Sequence, residues 1–158
     1  MTNQTITVTM PSDTAVQVER TFDAPAQLVW DAHTKPELIR QWLLGPDGWD
    51  MPICDVDLRP GGDFHYRWAH PTEGAFSSKG TFSTVTPVSY LAFTERMEGF
   101  EGESQNSYTL VERDGRTTIT MSMDFGSQEA RDGAVATGMA DGIGVSFDRL
   151  EALLPSLS

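Results

Sequence analysis

Eight aromatic side chains crowd the middle of this chain: Trp42, Trp49, Phe64, Tyr66, Trp68, Phe76, Phe82 and Phe93. Phe64, Tyr66 and Trp68 alternate with Asp63, His65 and Arg67, so their three rings point to one side of a strand. Such a set either fills a core or walls a pocket, because small-molecule pockets are mostly apolar and aromatic with a few polar groups. Tyr66, Tyr108 and Thr84 are the candidate polar members.

Residues suited to catalysis or metal binding are sparser. The three histidines are His33, His65 and His70. A metal site needs several converging ligands, yet His65 opposes the apolar face of its strand, and His70 falls on the other side from it. We expect no metal site. Cys54 lies within Pro52-Ile53-Cys54-Asp55-Val56 and reads as a half-buried structural thiol, since a nucleophilic cysteine needs a base or cation to lower its pKa. Asp55 and Asp57 share one face of a strand and could pair as carboxylates, but a charged solvent face on an edge strand is the simpler reading. Glu95, Glu98, Glu101 and Glu103 surround Gly99 and Gly102. They read as a solvated acidic loop, with a patch for a basic partner as the alternative. No GxSxG, P-loop, GxGxxG or HExxH pattern occurs. No catalytic residue and no cofactor is assigned.

The elements that position these residues follow from periodicity. Val16 to Phe22 is a strand with Val16, Val18 and Arg20 opposed to Gln17, Glu19 and Thr21, preceded by a weaker one over Thr5 to Met10. Asp23-Ala24-Pro25 starts a short helix over Ala26 to His33. Thr34 is a cap for a second helix with Leu38, Ile39 and Trp42 on its apolar face. Strands are expected over Pro52 to Leu58, Asp63 to Ala69, Phe76 to Thr86, Tyr90 to Met97, Asn106 to Arg113 and Thr117 to Phe125. Arg59-Pro60-Gly61-Gly62 is a turn, and Asp114-Gly115 marks a hairpin, because both positions of a type I′ turn need positive φ.

The last stretch, Ser127 to Leu154, carries Ala136, Met139, Ala140, Ile143, Phe147, Leu150 and Leu154 at helical spacing, with Asp141, Asp148 and Arg149 opposite. It predicts one long helix ending near Pro155. Gly133, Gly138, Gly142 and Gly144 interrupt it, each costing roughly 1 kcal/mol relative to alanine. Either a backbone passes close by, or the first half frays, or small residues leave room for a guest. At about 100° per residue all four lie off the Ile143 stripe, Gly138 furthest round. A strand, two short helices, a run of strands and a long helix argue for an α+β fold, with the helix across the concave face of an antiparallel sheet.

The chain of 158 residues has 39% hydrophobic and 22% charged residues, ordinary for one globular domain spanning 1–158. A formal net charge of −12 disfavours nucleic acid and anionic membrane surfaces. No apolar run approaches the roughly 18 residues of a membrane span. The start, MTNQTITVTMPSD, lacks a signal peptide's basic and apolar regions, so cytoplasm is the expected location.

Val18-Glu19-Arg20-Thr21-Phe22-Asp23-Ala24-Pro25 with Val29-Trp30-Asp31-Ala32 resembles the opening signature of the START-like SRPBCC superfamily. Thr34-Lys35-Pro36-Glu37-Leu38, Gln41-Trp42 and Asp57-Leu58-Arg59-Pro60-Gly61-Gly62-Asp63-Phe64 are similar to one branch, the homologues of the activator of the heat-shock-protein ATPase. Gly80-Thr81-Phe82, Leu91-Ala92-Phe93-Thr94 and Asp148-Arg149-Leu150 extend the likeness from about Val16 to Leu154. The resemblance implies a helix-grip, Bet v-like fold: a curved antiparallel sheet around a long C-terminal helix, with a cavity between. It implies binding of a small hydrophobic or aromatic molecule by Trp42, Phe64, Tyr66, Trp68, Phe82, Phe93, Met139, Ile143 and Phe147, to which the aromatic set and its polar members add Trp49 and Tyr108. A chaperone contact or a homodimer contact is the partner alternative. A cyclase or isomerase with Tyr66, Tyr108 or His65 as acid–base group is the enzymatic one. This chain departs from the branch after Gly142, where Ile143 stands in place of the usual tryptophan. Loss of that indole enlarges the pocket or opens its mouth unless Trp49 or Trp68 fills the space.

Overall fold

Eight antiparallel strands form one sheet in the order β1-β2-β8-β7-β6-β5-β4-β3. The computed structural model describes residues 6–157, so Thr5 of the expected first strand lies outside the described residues. The strands are β1 (Thr7–Thr9), β2 (Ala15–Phe22), β3 (Asp50–Val56), β4 (Asp63–His70), β5 (Gly74–Thr86), β6 (Tyr90–Met97), β7 (Ser104–Arg113) and β8 (Arg116–Asp124). From β3 to β8 each strand pairs with the next in sequence, and β8 then returns to β2. This is the curved α+β sheet that the alternating patterns imply. At the β7–β8 turn Asp114 and Gly115 both adopt positive φ, 56° and 76°, as a type I′ hairpin requires.

Helices α1 (Ala26–Thr34) and α2 (Pro36–Trp42) connect β2 to the opposite edge strand β3. Thr34 does not cap α2. It ends α1 with its hydroxyl donating to the Trp30 carbonyl at 2.8 Å, and Lys35 is the residue between the helices. No described helix is long and apolar enough to cross a membrane.

The C-terminal stretch is two helices rather than one. α3 (Gln128–Ala136) begins at Ser127, whose Oγ accepts from the Ala130 amide at 3.0 Å. It ends at Thr137, and Gly138 at φ 81° turns the chain into α4 (Met139–Leu153), followed by a single 3-10 turn over Leu154–Leu157. The apolar period runs through the break without a phase jump, so hydrophobic spacing alone could not reveal it. The conformation of Gly138 does, because a left-handed residue cannot sit inside a right-handed helix.

The core lies between sheet and helices. Val16, Val18 and Phe22 of β2, Ile119 of β8, Trp42 of α2, and Phe147, Leu150 and Leu154 at the chain's end are all buried in one cluster. Ile39, Met51 and Cys54 form a smaller cluster beneath α2. Arg20 is buried among the inward-facing residues of β2 and reaches α4, with Nη1 2.7 Å from Asp148 Oδ1 and Nη2 3.2 Å from Glu151 Oε2.

The glycines of this region separate into distinct roles. No atom lies near the Cβ position of helical Gly133, whereas Gly138 holds a positive φ. Gly133→Ala is expected to raise stability by about 0.5–1 kcal/mol, and Gly138→Ala to lower it by about 1–2 kcal/mol. Thermal unfolding of both variants beside the parent measures this. A stabilising Gly138→Ala would mean that nothing enforces the break.

A cavity between the sheet and the C-terminal helix

Beneath the first half of α4 the sheet and helix do not meet. They enclose a cavity of about 660 Å³ that opens to solvent. Its wall is predominantly apolar, with residues from β4 to β8 on one side, α4 on the other, and the α2–β3 loop at the rim. Alternation explains the sheet side: Phe64, Tyr66 and Trp68 of β4 share the face that β6 presents through Leu91, Phe93 and Glu95.

Of the expected pocket residues, Trp49, Phe64, Tyr66, Trp68, Phe82, Phe93, Tyr108, Met139 and Ile143 line this cavity. Trp42 and Phe147 do not. They lie in the packed core behind it, stacked on each other with ring centroids 5.9 Å apart. The Trp42 indole donates to the Ala32 carbonyl at 2.8 Å, which fixes the ring inside the helix pair. Thr84 is also outside the cavity: a bulge between Phe82 and Thr84 shifts the register and leaves Thr84 exposed. Gly138 and Gly142 border the cavity, whereas Gly133 and Gly144 do not. Trp49 and Trp68 both stand in the wall beside Ile143. Trp68 donates its indole N–H to the Leu43 carbonyl at 2.7 Å and stacks on Phe76 at 5.1 Å, and Trp49 meets Phe76 edge-on at 5.4 Å.

The polar part of the wall includes the expected Tyr66 and Tyr108 and adds Glu95, Asn106 and His33. Glu95 is not in a solvated loop but in β6, half-buried, with Oε2 accepting from Ser78 Oγ at 2.6 Å and Oε1 from Asn106 Nδ2 at 3.0 Å. Burial raises its pKa above the ordinary carboxylate value, against the opposing effect of those two donors. The signal was present in the alternation, since Glu95 has the parity of Leu91 and Phe93. Asn106 keeps its Oδ1 without a hydrogen-bond partner. Tyr66 and Tyr108 are held neutral by burial, which raises both phenols above their usual value.

His33 completes the set from α1. Its Nδ1 donates to the Val29 carbonyl at 2.7 Å, and its Nε2 has no partner. The ring meets Trp42 at 4.8 Å and Tyr108 at 5.3 Å. Burial depresses its pKa to about 4, only partly offset by the bond to Val29, so the imidazole is neutral near pH 7.

The other reactive candidates sit apart. His65 bonds Ser77 Oγ at 3.2 Å, and His70 accepts from the Thr72 and Glu73 amides. Cys54 is buried and its thiol is pushed up to about 11 by burial, the opposite of an activated nucleophile. Asp57 falls just past the end of β3 and pairs with Arg59 at 2.9 Å. Among the described residues no cluster of histidine, cysteine or acidic side chains is arranged to hold a metal ion.

The family profile described as Activator of Hsp90 ATPase homolog 1-like protein matches residues 23–155. No curated protein matches the chain. Among solved structures, a crystal structure of a Rhodobacter sphaeroides protein is 27% identical, covers 96% of this chain and 99% of that one, and superposes with a TM-score of 0.91. Protein NE0264 from Nitrosomonas europaea is 26% identical over 93% of this chain and 97% of its own, with a TM-score of 0.82. The solution structure of an AHSA1-like protein from Aeromonas hydrophila, 21% identical over 87% of this chain and 92% of that one, shares the fold with a TM-score of 0.72.

The neutral, buried His33 predicts a pH signature. An unfolded histidine titrates near about 6.5, so between there and about 4 the unfolded chain binds a proton that the folded protein does not. Its contribution lowers stability as pH falls through that window, by roughly 3 kcal/mol at the acid end, and levels off below it. Glu95 acts in the opposite sense, because its folded pKa is raised. The His33 contribution is therefore read as the difference between parent and His33→Phe in urea unfolding at several pH values. A difference that does not change with pH would refute it.

Proposed function

Since this chain belongs to the family of Activator of Hsp90 ATPase homolog 1-like proteins, we propose that it binds a small hydrophobic or aromatic molecule in the cavity between the sheet and α4. The observation that carries this reading is the cavity itself: about 660 Å³ of mostly apolar space where a domain of this size ordinarily has packed core. Burying a ligand's apolar surface there contributes about 25 cal/mol per Å², and fixed aromatic walls reduce the ordering that binding would otherwise require. The residues proposed to touch the ligand are Trp49, Phe64, Tyr66, Trp68, Phe82, Phe93, Tyr108, Met139 and Ile143. The family description supplies a second reading, stimulation of a heat-shock-protein ATPase. Measuring that ATPase rate with and without this protein separates the two.

Two measurements test the binding reading. Solvent extraction of the natively purified protein, followed by mass spectrometry, is expected to yield a stoichiometric apolar compound. Titration of the empty protein with apolar aromatic compounds is expected to shift the emission of Trp49 and Trp68. Ile143→Trp puts an indole into the cavity wall and is expected to weaken binding of a bulky compound at least about tenfold, with little loss of stability because space is available. Unchanged affinity in a folded Ile143→Trp protein would mean that the compound binds elsewhere.

A further inference from the structure

The cavity's charged groups share one sign. Among the described residues no lysine or arginine lines it, while Glu95, Glu98 and Asp141 do. Asp141 is exposed at the start of α4, and Glu98 is partly neutralised by Arg67 at 3.7 Å and by the Ser77 amide at 3.1 Å. Glu95 is different: it is half-buried within the wall, and its partners Ser78 and Asn106 are neutral.

Two buried side-chain atoms of the wall residues lack a hydrogen-bond partner, and both are acceptors. Asn106 turns its amide N–H toward Glu95, which leaves Oδ1 unbonded. His33 donates through Nδ1 to Val29, which fixes the tautomer and leaves Nε2 as a lone-pair acceptor. Both side chains are 7% exposed and both belong to the cavity wall. Three acids with no cation among the lining residues repel a carboxylate or phosphate head group, and the Tyr66 and Tyr108 hydroxyls are the neutral groups beside them. A protonated amine carries several donors, no acceptor and the missing counter-charge. Ring faces at Phe64, Tyr66 and Phe93 add the negative quadrupole that attracts a cation.

We propose that the cavity takes a hydrophobic amine, with its ammonium against the Glu95 carboxylate and its apolar body among the aromatic rings. This assignment rests on the binding function proposed above and names its ligand class. Burial of an isolated carboxylate is costly, and a ligand cation relieves that cost in the bound state alone. The preference should therefore appear as selectivity between ligands that differ only in the head group.

Phenylbutylamine, phenylbutanol and phenylbutanoate, titrated by calorimetry into the intact protein at pH 7, share one apolar body. The amine is expected to bind on the order of tenfold or more tighter than the alcohol, with the carboxylate weakest, the scale of one partly desolvated charge pair. Glu95→Gln, which preserves shape, is expected to collapse the amine-to-alcohol ratio to near one. An alcohol or carboxylate that binds the parent as tightly as the amine overturns the amine assignment and leaves cavity binding standing, and this comparison needs no variant to fold. An amine preference that survives in Glu95→Gln overturns the role of Glu95. Absence of binding by all three compounds overturns both the assignment and the binding function on which it rests.

Discussion

The distance between α4 and the sheet is set at one end of the helix, by polar tethers. Arg20 rises from β2 to Asp148 and Glu151. Arg149 donates to the carbonyls of Trp42 and Gly45 at 3.1 Å each, and Ser146 Oγ accepts from the Gly45 amide at 2.9 Å. All of these contacts engage the C-terminal two-thirds of α4, where Phe147, Leu150 and Leu154 pack into a dry core against Phe22 and Trp42. The Arg20 guanidinium gives up its water on burial, and two carboxylates are set against that loss, one of them 70% exposed and free to keep its own hydration. The pairing is thus worth more for geometry than for stability. It holds one end of α4 down and leaves the other end to span open space.

That division explains why the cavity does not collapse. The rings of its wall are held by contacts that do not involve α4: Phe64 with Tyr66 at 5.0 Å, Phe64 with Phe93 at 5.4 Å, and Trp68 between Phe76 and the Leu43 carbonyl. Edge-to-face and stacked pairs of this kind contribute about 0.5–1.5 kcal/mol each beyond area burial. The sheet face is consequently rigid before any helix covers it. At Gly138 the chain leaves the line of α3, so the apolar start of α4 is not drawn further into the groove by a continuous helical rod. A stiff floor, a helix pinned at its far end and a break at its near end together keep the space between them.

Much of this was legible in the order of residues. Alternation placed every strand to within a few positions, because a sheet with one buried face repeats strictly every two residues. The Asp114-Gly115 turn was equally legible, since few other pairs tolerate its backbone. What escaped has physical reasons. Trp42 and Phe147 have the same character as the wall residues, and nothing in residue type separates a ring that fills space from one that borders it. Thr84 was lost to a bulge, which reverses the faces beyond it without changing composition. Glu95 was grouped with its acidic neighbours although its parity with Phe93 placed it inward. Charge weighed against burial where the strand period deserved precedence. His33 lies one helical turn from Val29 and so on the buried side of α1, a position that a search for metal ligands alone passes over.

The buried polar residues and the cavity are conditions for each other. Asn106 Oδ1 and His33 Nε2 lack protein partners, and in a close-packed core each orphan would cost about 1–3 kcal/mol with no route to relief. Here both side chains border an open cavity, while the two atoms themselves face inward with almost no accessible surface. Under the binding function proposed above, contents that reach these acceptors through a side-chain movement would gain what the empty protein forgoes. A wholly apolar lining of the same volume would bind more indiscriminately, because burial of area ranks compounds by size and barely by chemistry. The fold therefore supplies the volume through its strands and tethers, and under the binding function proposed above selectivity would fall to a few side chains on β5, β6, β7 and α1. Those positions can change without disturbing the Arg20 anchor or the aromatic floor. Chains sharing this fold can accordingly differ in what they hold while differing little in how they are built.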